Sequence, residues 1–250
     1  HLLYARFFTK AMRDIGMNSI GEPFGQLVCQ GMLNAPAPFC NECNIEFHVD
    51  KNGGKCPTCD SPLGNRQAKM SKSLGNTVSP GAMVEEYGAD TVRLFILYGA
   101  NPEAGMDWSD NAIISNHKQM QSIIDAFKSS RLFTDSPSIV DSWLLSKMRM
   151  NHAKWQSAME NVSLREGVMI SHFEMLSDWQ WYRRRGGSDR KTVEIFFRHW
   201  IPMMAPATPH IAEEFWSKIG GQGMVSEYVI EDVTKLEDDI IHIAKEEYLR

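Results

Sequence analysis

Lys69-Met70-Ser71-Lys72-Ser73, continuing through Leu74-Gly75-Asn76-Thr77-Val78 to Ser79-Pro80, is the stretch around which this chain is organised. Two lysines stand three residues apart among small polar residues. An ammonium on a flexible stem suits phosphate oxygens, and two of them with hydroxyl and backbone donors between form a mobile clamp for a polyphosphate. A solvated surface loop has the same composition, so the pentapeptide alone leaves both readings open. Working outward, Ser79 and Pro80 predict a helix start, with Ser79 as N-cap and Pro80 at the first helical position. That helix carries Met83, Val84 and Tyr87, and Gly88 stops it. Asp90 is expected to cap a second helix holding Val92, Leu94, Phe95, Ile96 and Leu97, with Gly99 at its end.

Upstream lie Cys40-Asn41-Glu42-Cys43 and Cys56-Pro57-Thr58-Cys59. Each Cys-x-x-Cys lets one tight turn aim two thiolates at one ion, and two such turns complete the tetrahedral four-sulfur site that structural zinc prefers. Two disulfides or four free thiols are the alternatives. Gly53 and Gly54 suit a hairpin tip between the pairs, and Lys51 and Lys55 partly offset the excess negative charge of four thiolates. His48 could replace a cysteine, although four are already sufficient. Further upstream, Leu3, Phe7, Phe8, Ala11, Met12 and Ile15 predict a helix over His1 to Ile15, stopped by Gly16. Leu27-Val28-Cys29 and Met32-Leu33 read as a short strand, and helix followed by strand suits an α/β layer.

From about Asn111 the pattern is helical. His117 to Leu132 offers Met120, Ile123, Ile124 and Phe127. Val140, Leu144 and Met148 are spaced by four, with Trp155 and Met159 beyond. Ser163-Leu164-Arg165-Glu166 reads as a capping box, opening a helix with Met169, Phe173, Leu176 and Trp179 or Gln180 inward. Val193, Phe196, Phe197 and Trp200 continue in the next. Thr208-Pro209 opens another with Ile211, Phe215 and Ile219, and Gly220 stops it. These methionine and aromatic stripes read as bundle core. Basic residues gather at Arg183, Arg184, Arg185, Arg190, Lys191 and Arg198, opposed between 183 and 198 only by Asp189 and Glu194, so six minus two gives +4. Contact with nucleic-acid phosphates and a solvated interhelical loop are both open there. The tail from Glu227 is acidic and ends on an expected charged helix, Asp238 to Arg250.

Composition sets the bounds. With 250 residues, 43% hydrophobic, the chain can bury a sizeable core in one large or two modest domains. No apolar run approaches the roughly 20 residues that span a bilayer. No signal peptide is seen, and a start at His1 without methionine reads as a piece of a longer protein. Five cysteines, four of them in Cys-x-x-Cys pairs, favour a reducing compartment and metal over disulfides. At a net charge of −5, any nucleic-acid contact must come from a local basic patch.

The lysine stretch with its Gly-Asn and Ser-Pro flank resembles the KMSKS signature of class I aminoacyl-tRNA synthetases. Leu2 to Phe8, Glu22-Pro23-Phe24 and Gln30-Gly31-Met32 are similar to the catalytic domain of leucyl-tRNA synthetases, which would set His1 near the adenylate pocket. Tyr87 to Phe95 resembles the segment joining catalytic and anticodon domains, Asp107-Trp108-Ser109-Asp110 the leucine-type turn after it, and Pro206 to Glu214 the anticodon-binding bundle; His210 is then a satisfied helix-start residue.

The resemblance implies a mostly α fold with a small α/β part. Residues 1–110 would be the C-terminal part of a Rossmann-like catalytic domain with a zinc-ribbon insertion at about 36–62. Residues 111–250 would be the helical tRNA-binding domain. It further implies activation of leucine with ATP and Mg²⁺ and transfer to tRNA(Leu), in a cytoplasmic and monomeric enzyme. Lys69 and Lys72 would be catalytic, and Lys69, Met70, Ser71, Lys72 and Ser73 would bind ATP. Arg183, Arg184, Arg185, Arg190 and Lys191 would touch tRNA. The zinc on Cys40, Cys43, Cys56 and Cys59 rests on spacing alone. The family's His-x-Gly-His signature is absent from these residues, so the chain by itself is predicted inactive. Isoleucine-, valine- or methionine-type synthetases, and a non-catalytic zinc-ribbon and helical RNA-binding module, stay open.

Overall fold

The computed structural model describes residues 1–28, 31–130 and 133–230. The expected terminal helix Asp238–Arg250, and Cys29 and Leu132 of two other expected elements, lie outside them.

Helix α1 (Leu2–Asp14) forms where the apolar spacing predicts it, yet none of its residues is buried. Leu27 and Val28 belong to no strand; the sheet begins at Leu33. Strand β1 (Leu33–Cys40) is its centre. Strand β3 (Gly64–Lys69) runs antiparallel beside it, from Asn34 opposite Lys69 to Phe39 opposite Gly64. The short β2 (Ile45–Glu46) and β4 (Met106–Asp107) share the other edge of β1, antiparallel and parallel respectively. Pro36 and Pro38 fall in the gap between these short partners, so their missing N–H groups break no ladder bond. Lys69 and the loop after it therefore leave the sheet at a place fixed by the β1–β3 register.

Helices α2 (Pro80–Tyr87) and α3 (Ala89–Gly99) follow the loop. Pro80 stands at the expected position, and Gly88, at φ +84°, separates the two. Six more helices complete the described chain: α4 (Asp110–Ser129), α5 (Ile139–Glu160), α6 (Leu164–Met169), α7 (Met175–Arg184), α8 (Arg190–Met204) and α9 (Pro209–Lys218). They enclose one apolar core built on Trp179, Trp200, Trp216, Tyr182 and Phe196, which Leu94 of α3 also joins. The fold is thus mostly α with a small sheet at one end.

Three local expectations are corrected. Ser163 precedes α6 but makes no side-chain cap bond; the reciprocal capping box is Ser138 with Asp141, at the start of α5. Asp90 does not cap its own helix. Its carboxylate crosses to α9, accepting from the Ile211 N–H at 2.7 Å and bonding His210 Nδ1 at 2.8 Å. His210 is thereby satisfied at a helix start, as expected. Finally, a π-helical turn (Ile170–Glu174) joins α6 to α7. The wider turn shifts the inward face, so Val168, Ile170, His172 and Met175 are buried while Met169 and Phe173 are only half covered. The Ser171 carbonyl then accepts the Trp200 indole N–H at 2.6 Å.

Candidate functional site

The Lys69–Ser73 loop is a tight turn bound at its base. Met70 N–H donates to the Leu33 carbonyl at 2.9 Å, extending the β1–β3 ladder by one bond. Ser71 Oγ accepts from Leu74 N–H at 3.2 Å and lies 3.1 Å from Ser73 Oγ. Gly75 N–H reaches back to the Ser71 carbonyl at 3.1 Å. Asn76, buried, locks the turn. Its Oδ1 accepts from Ser71 N–H at 3.0 Å, and its Nδ2 donates to the carbonyls of Ala35 and Ala68 at 3.1 and 3.3 Å. One amide thus ties both ends of the loop to both strands. Lys69 and Lys72 are exposed, and neither is held in an ion pair among the described residues. Two free ammonium groups on a stiff base can meet an anion that approaches from solvent.

The four cysteines converge. Cys40 Sγ lies 3.5 Å from Cys59 Sγ and Cys56 Sγ 3.8 Å from Cys43 Sγ, and all four sulfurs fall within 4.8 Å of one another. A tetrahedron of sulfurs about 2.3 Å from one zinc has edges of about 3.8 Å, far longer than the roughly 2 Å of a disulfide. Backbone N–H groups of Cys43 and Thr58 point at the Cys40 and Cys56 sulfurs at 3.5 and 3.4 Å. Asn44 and Asp60 each follow the second cysteine of a pair, and both adopt positive φ, 54° and 59°. Asn and Asp tolerate that conformation, which turns the chain back after each pair. Crowded thiols also share protons unequally. Cys43 is pushed up to about 12, first through its contact with Cys59, while Cys59 is pulled down to about 6, first by the Ser61 hydroxyl. Lys55 is engaged by Asp60 at 2.8 Å. His48 stands outside the cluster, its Nδ1 accepting from Asp50 N–H at 3.3 Å. The sulfur set and its spacing fit a structural zinc.

The basic residues share the α7–α8 corner, but part of their charge is used internally. Arg183 donates to the Gly187 carbonyl at 3.0 Å and lies over Trp179. Arg185 stacks 3.6 Å from the Trp181 ring, which stacks in turn on Trp143. Arg190 pairs with Asp135 at 3.2 Å and covers Phe133. Arg184, Arg185, Arg190, Lys191 and Arg198 are exposed. Sequence reasoning missed Asn76, although it stood in the motif flank, because its bonds reach 41 residues back along the chain.

With this geometry in place, the chain can be compared with known proteins. Residues 63–109 match the family model of "tRNA synthetases class I (I, L, M and V)", and residues 141–248 match that of the "Anticodon-binding domain of tRNA ligase". The two matches in series define a class I aminoacyl-tRNA synthetase chain. Leucine--tRNA ligase of Fusobacterium nucleatum is 30% identical over 239 residues, covering 89% of this chain, and that of Desulfatibacillum aliphaticivorans is 32% identical over 241 residues, covering 88%. Within its class, then, the chain belongs to the leucyl-tRNA synthetase family. It spans 28% of the length of each of these two relatives. The fold is also that of an Agrobacterium radiobacter K84 LeuRS solved with tRNA and LeuAMS, at a TM-score of 0.68 and 22% identity over 96% of this chain and 28% of that one. No helix among the described residues is long and apolar enough to cross a membrane.

Proposed function

We propose that these residues supply the lysine-loop half of an active site that activates leucine with ATP, together with the helical domain that holds tRNA(Leu). The whole enzyme would work as a monomer in the cytoplasm. The observation that carries the reading is the Lys69–Ser73 turn: its base is locked by Asn76 to two strands, and both lysine side chains are left free. In the reaction the leucine carboxylate attacks the α-phosphorus of ATP-Mg²⁺, the bond to the pyrophosphate oxygen breaks, and leucyl-adenylate and pyrophosphate form. Negative charge grows toward the leaving pyrophosphate. Lys69 and Lys72 meet that charge, which is electrostatic stabilisation of the transition state. Met70, Ser71 and Ser73 bind ATP beside them. No side-chain base is needed, because the attacking carboxylate is already ionised. Transfer of the leucyl group to the terminal ribose of the tRNA follows.

Residues 1–110 would belong to the catalytic domain and 111–250 to the tRNA-binding domain, with Arg183, Arg184, Arg185, Arg190 and Lys191 on tRNA phosphates. Cys40, Cys43, Cys56 and Cys59 would hold a zinc whose role is structural. By themselves the 250 residues would be inactive. Amino-acid-dependent ATP–pyrophosphate exchange by the complete enzyme, run with a panel of amino acids, tests the reading. Exchange with leucine alone is expected; exchange with isoleucine, valine or methionine instead, or with none, sinks it.

A further inference from the structure

The lysine loop touches the cysteine ribbon at one further place. Val49 N–H, in the connection between the two Cys-x-x-Cys turns, donates to the Leu74 carbonyl at 2.9 Å. Next to it, Gly75 has φ +68°, and a Cβ added there would lie 2.5 Å from His48 Nε2 and 3.0 Å from Val49 Cγ2. The imidazole and the valine methyl therefore rest directly on the backbone of the loop. Glycine is required here both by its conformation and by that contact. Meanwhile the His48 Nδ1 bond to Asp50 N–H fixes the ring within its own turn.

We infer that the His48–Val49 turn is a brace for the lysine loop, and that closure of the four-thiolate site acts on the loop through it. This rests on the reading of the loop as a phosphate clamp. The reasoning follows the chain. The turn lies in the segment between Cys43 and Cys56, and drawing both sulfur pairs onto one ion fixes both ends of that segment. A fixed segment can hold Leu74 and Gly75 in place, while Asn76 holds the next residue from the sheet side. Ser71 to Gly75 is then secured on two flanks, and only the lysine side chains remain mobile. Donors held in place before the anion arrives have less reorganisation to undergo when it does. His48 and Val49 are positioning residues, because neither would touch the nucleotide.

The test is amide hydrogen exchange of residues 70–76, measured with zinc content and without ATP. Val49→Pro removes the one donor to Leu74. His48, at φ −58° and ψ 146°, already has the extended backbone that a following proline requires. In the variant, loop exchange should rise about fivefold, the effect of one lost hydrogen bond, with zinc retained and exchange in α8 unchanged. Chelating the metal from the unaltered chain should speed loop exchange at least as much. His48→Ala, at a half-exposed site, should act in the same direction and decides the matter if Val49→Pro sheds its zinc. Wild-type loop exchange in a zinc-loaded variant, or after chelation, overturns the brace. The clamp itself is judged separately, by whether ATP-Mg²⁺ slows loop exchange in the complete enzyme. A braced loop that ignores ATP would sink the clamp and leave the brace standing.

Discussion

In the bundle, Trp179, Trp200, Trp216 and Tyr182 are almost wholly removed from water, whereas at the other end of the chain α1 has no buried residue and the buried side chains of the sheet are mostly alanine and cysteine. The bundle is held by apolar area; most of its buried polar groups are paired within it, although Asn116 Oδ1 and Asn151 Oδ1 find no hydrogen-bond partner among the described residues. The ribbon has too little apolar area for that, so its geometry depends on four converging sulfurs, the Asn76 amide and the β1–β3 ladder. A region held by a few specific bonds can present flexible cations at its rim. The bundle instead supplies a stiff mount.

The comparison breaks most sharply at Trp200. Its side chain is fully buried and its N–H is bonded to the carbonyl that the π turn redirects. Trp200→Ala should cost the bundle about 3–5 kcal/mol, read as a lower thermal midpoint. Because the sulfur cluster lies outside this core, metal binding by the folded fraction should be unchanged.

Lys72 tests the other region for chemistry rather than stability. In the complete enzyme Lys72→Ala should slow leucine activation by roughly 10²–10³, about 2.7–4 kcal/mol, by analogy with deleting one oxyanion donor. kcat should fall more than the KM for leucine rises, and the thermal midpoint should stay put, since an exposed lysine supports no core. Lys72→Arg keeps the charge with different geometry and should be intermediate. An unchanged rate returns the loop to a solvated surface feature.

How much of this could be read beforehand depended on distance along the chain. The cysteine pairs and the helices are local patterns and formed where their spacing put them; which face each helix buries was less local, since α1 buries none of its apolar stripe and α9 buries Ala212 and Trp216 beside Phe215 rather than Ile211 and Ile219. Asp90 reads as a local cap because a helix follows it at once, whereas its partners lie 120 and 121 residues away. The π turn was invisible because a 3.6-residue period assumes no inserted residue, and it moved Met169 and Phe173 off the inner face. His48 reads as an alternative metal ligand because histidine commonly is one, yet what it rests on is a glycine 27 positions later, which no spacing rule encodes.

A smaller effect, in pH, separates a buried and a partly buried group within the bundle. Burial pulls His172 down to about 4, below its unfolded value. The folded state then binds fewer protons between about pH 4 and 6.5, and stability rises with pH across that window. Asp178 is pushed up to about 6, first by burial, against the pull of Lys147 at 3.8 Å and the Asn151 amide. The folded state holds that proton longer, so its contribution is present below about pH 4 and is lost as pH rises through 6. The two trends oppose each other over nearly the same range. Asp178→Asn should keep the Asn151 contact and uncover the His172 rise, giving a steeper gain in urea-unfolding stability from pH 4 to 6.5 than the unaltered chain. An identical slope in both proteins would show that Asp178 does not hold its proton.

The smallest effect expected on the bundle is the sharpest statement of the contrast. Cys43→Ser removes one sulfur from a set that fits tetrahedral zinc, leaving three thiolates and a weakly ligating hydroxyl. Metal content should drop well below one per chain, and a zinc probed in the unaltered protein should show sulfur neighbours near 2.3 Å. Without the ion, the segment between Cys43 and Cys56 has little apolar area to hold it and should exchange its amides freely. The bundle melt should not move, because none of its core residues is drawn from the ribbon. The junction is nonetheless real: β4 pairs with β1, and Trp108 beside β4 packs edge-on against Phe95 of α3. If losing one sulfur lowered the bundle midpoint, that junction would transmit strain, and the two regions would form one cooperative unit. A metal-free protein with an ordered ribbon would be the opposite surprise, with the β1–β3 ladder and Asn76 sufficient to hold the lysine loop without an ion.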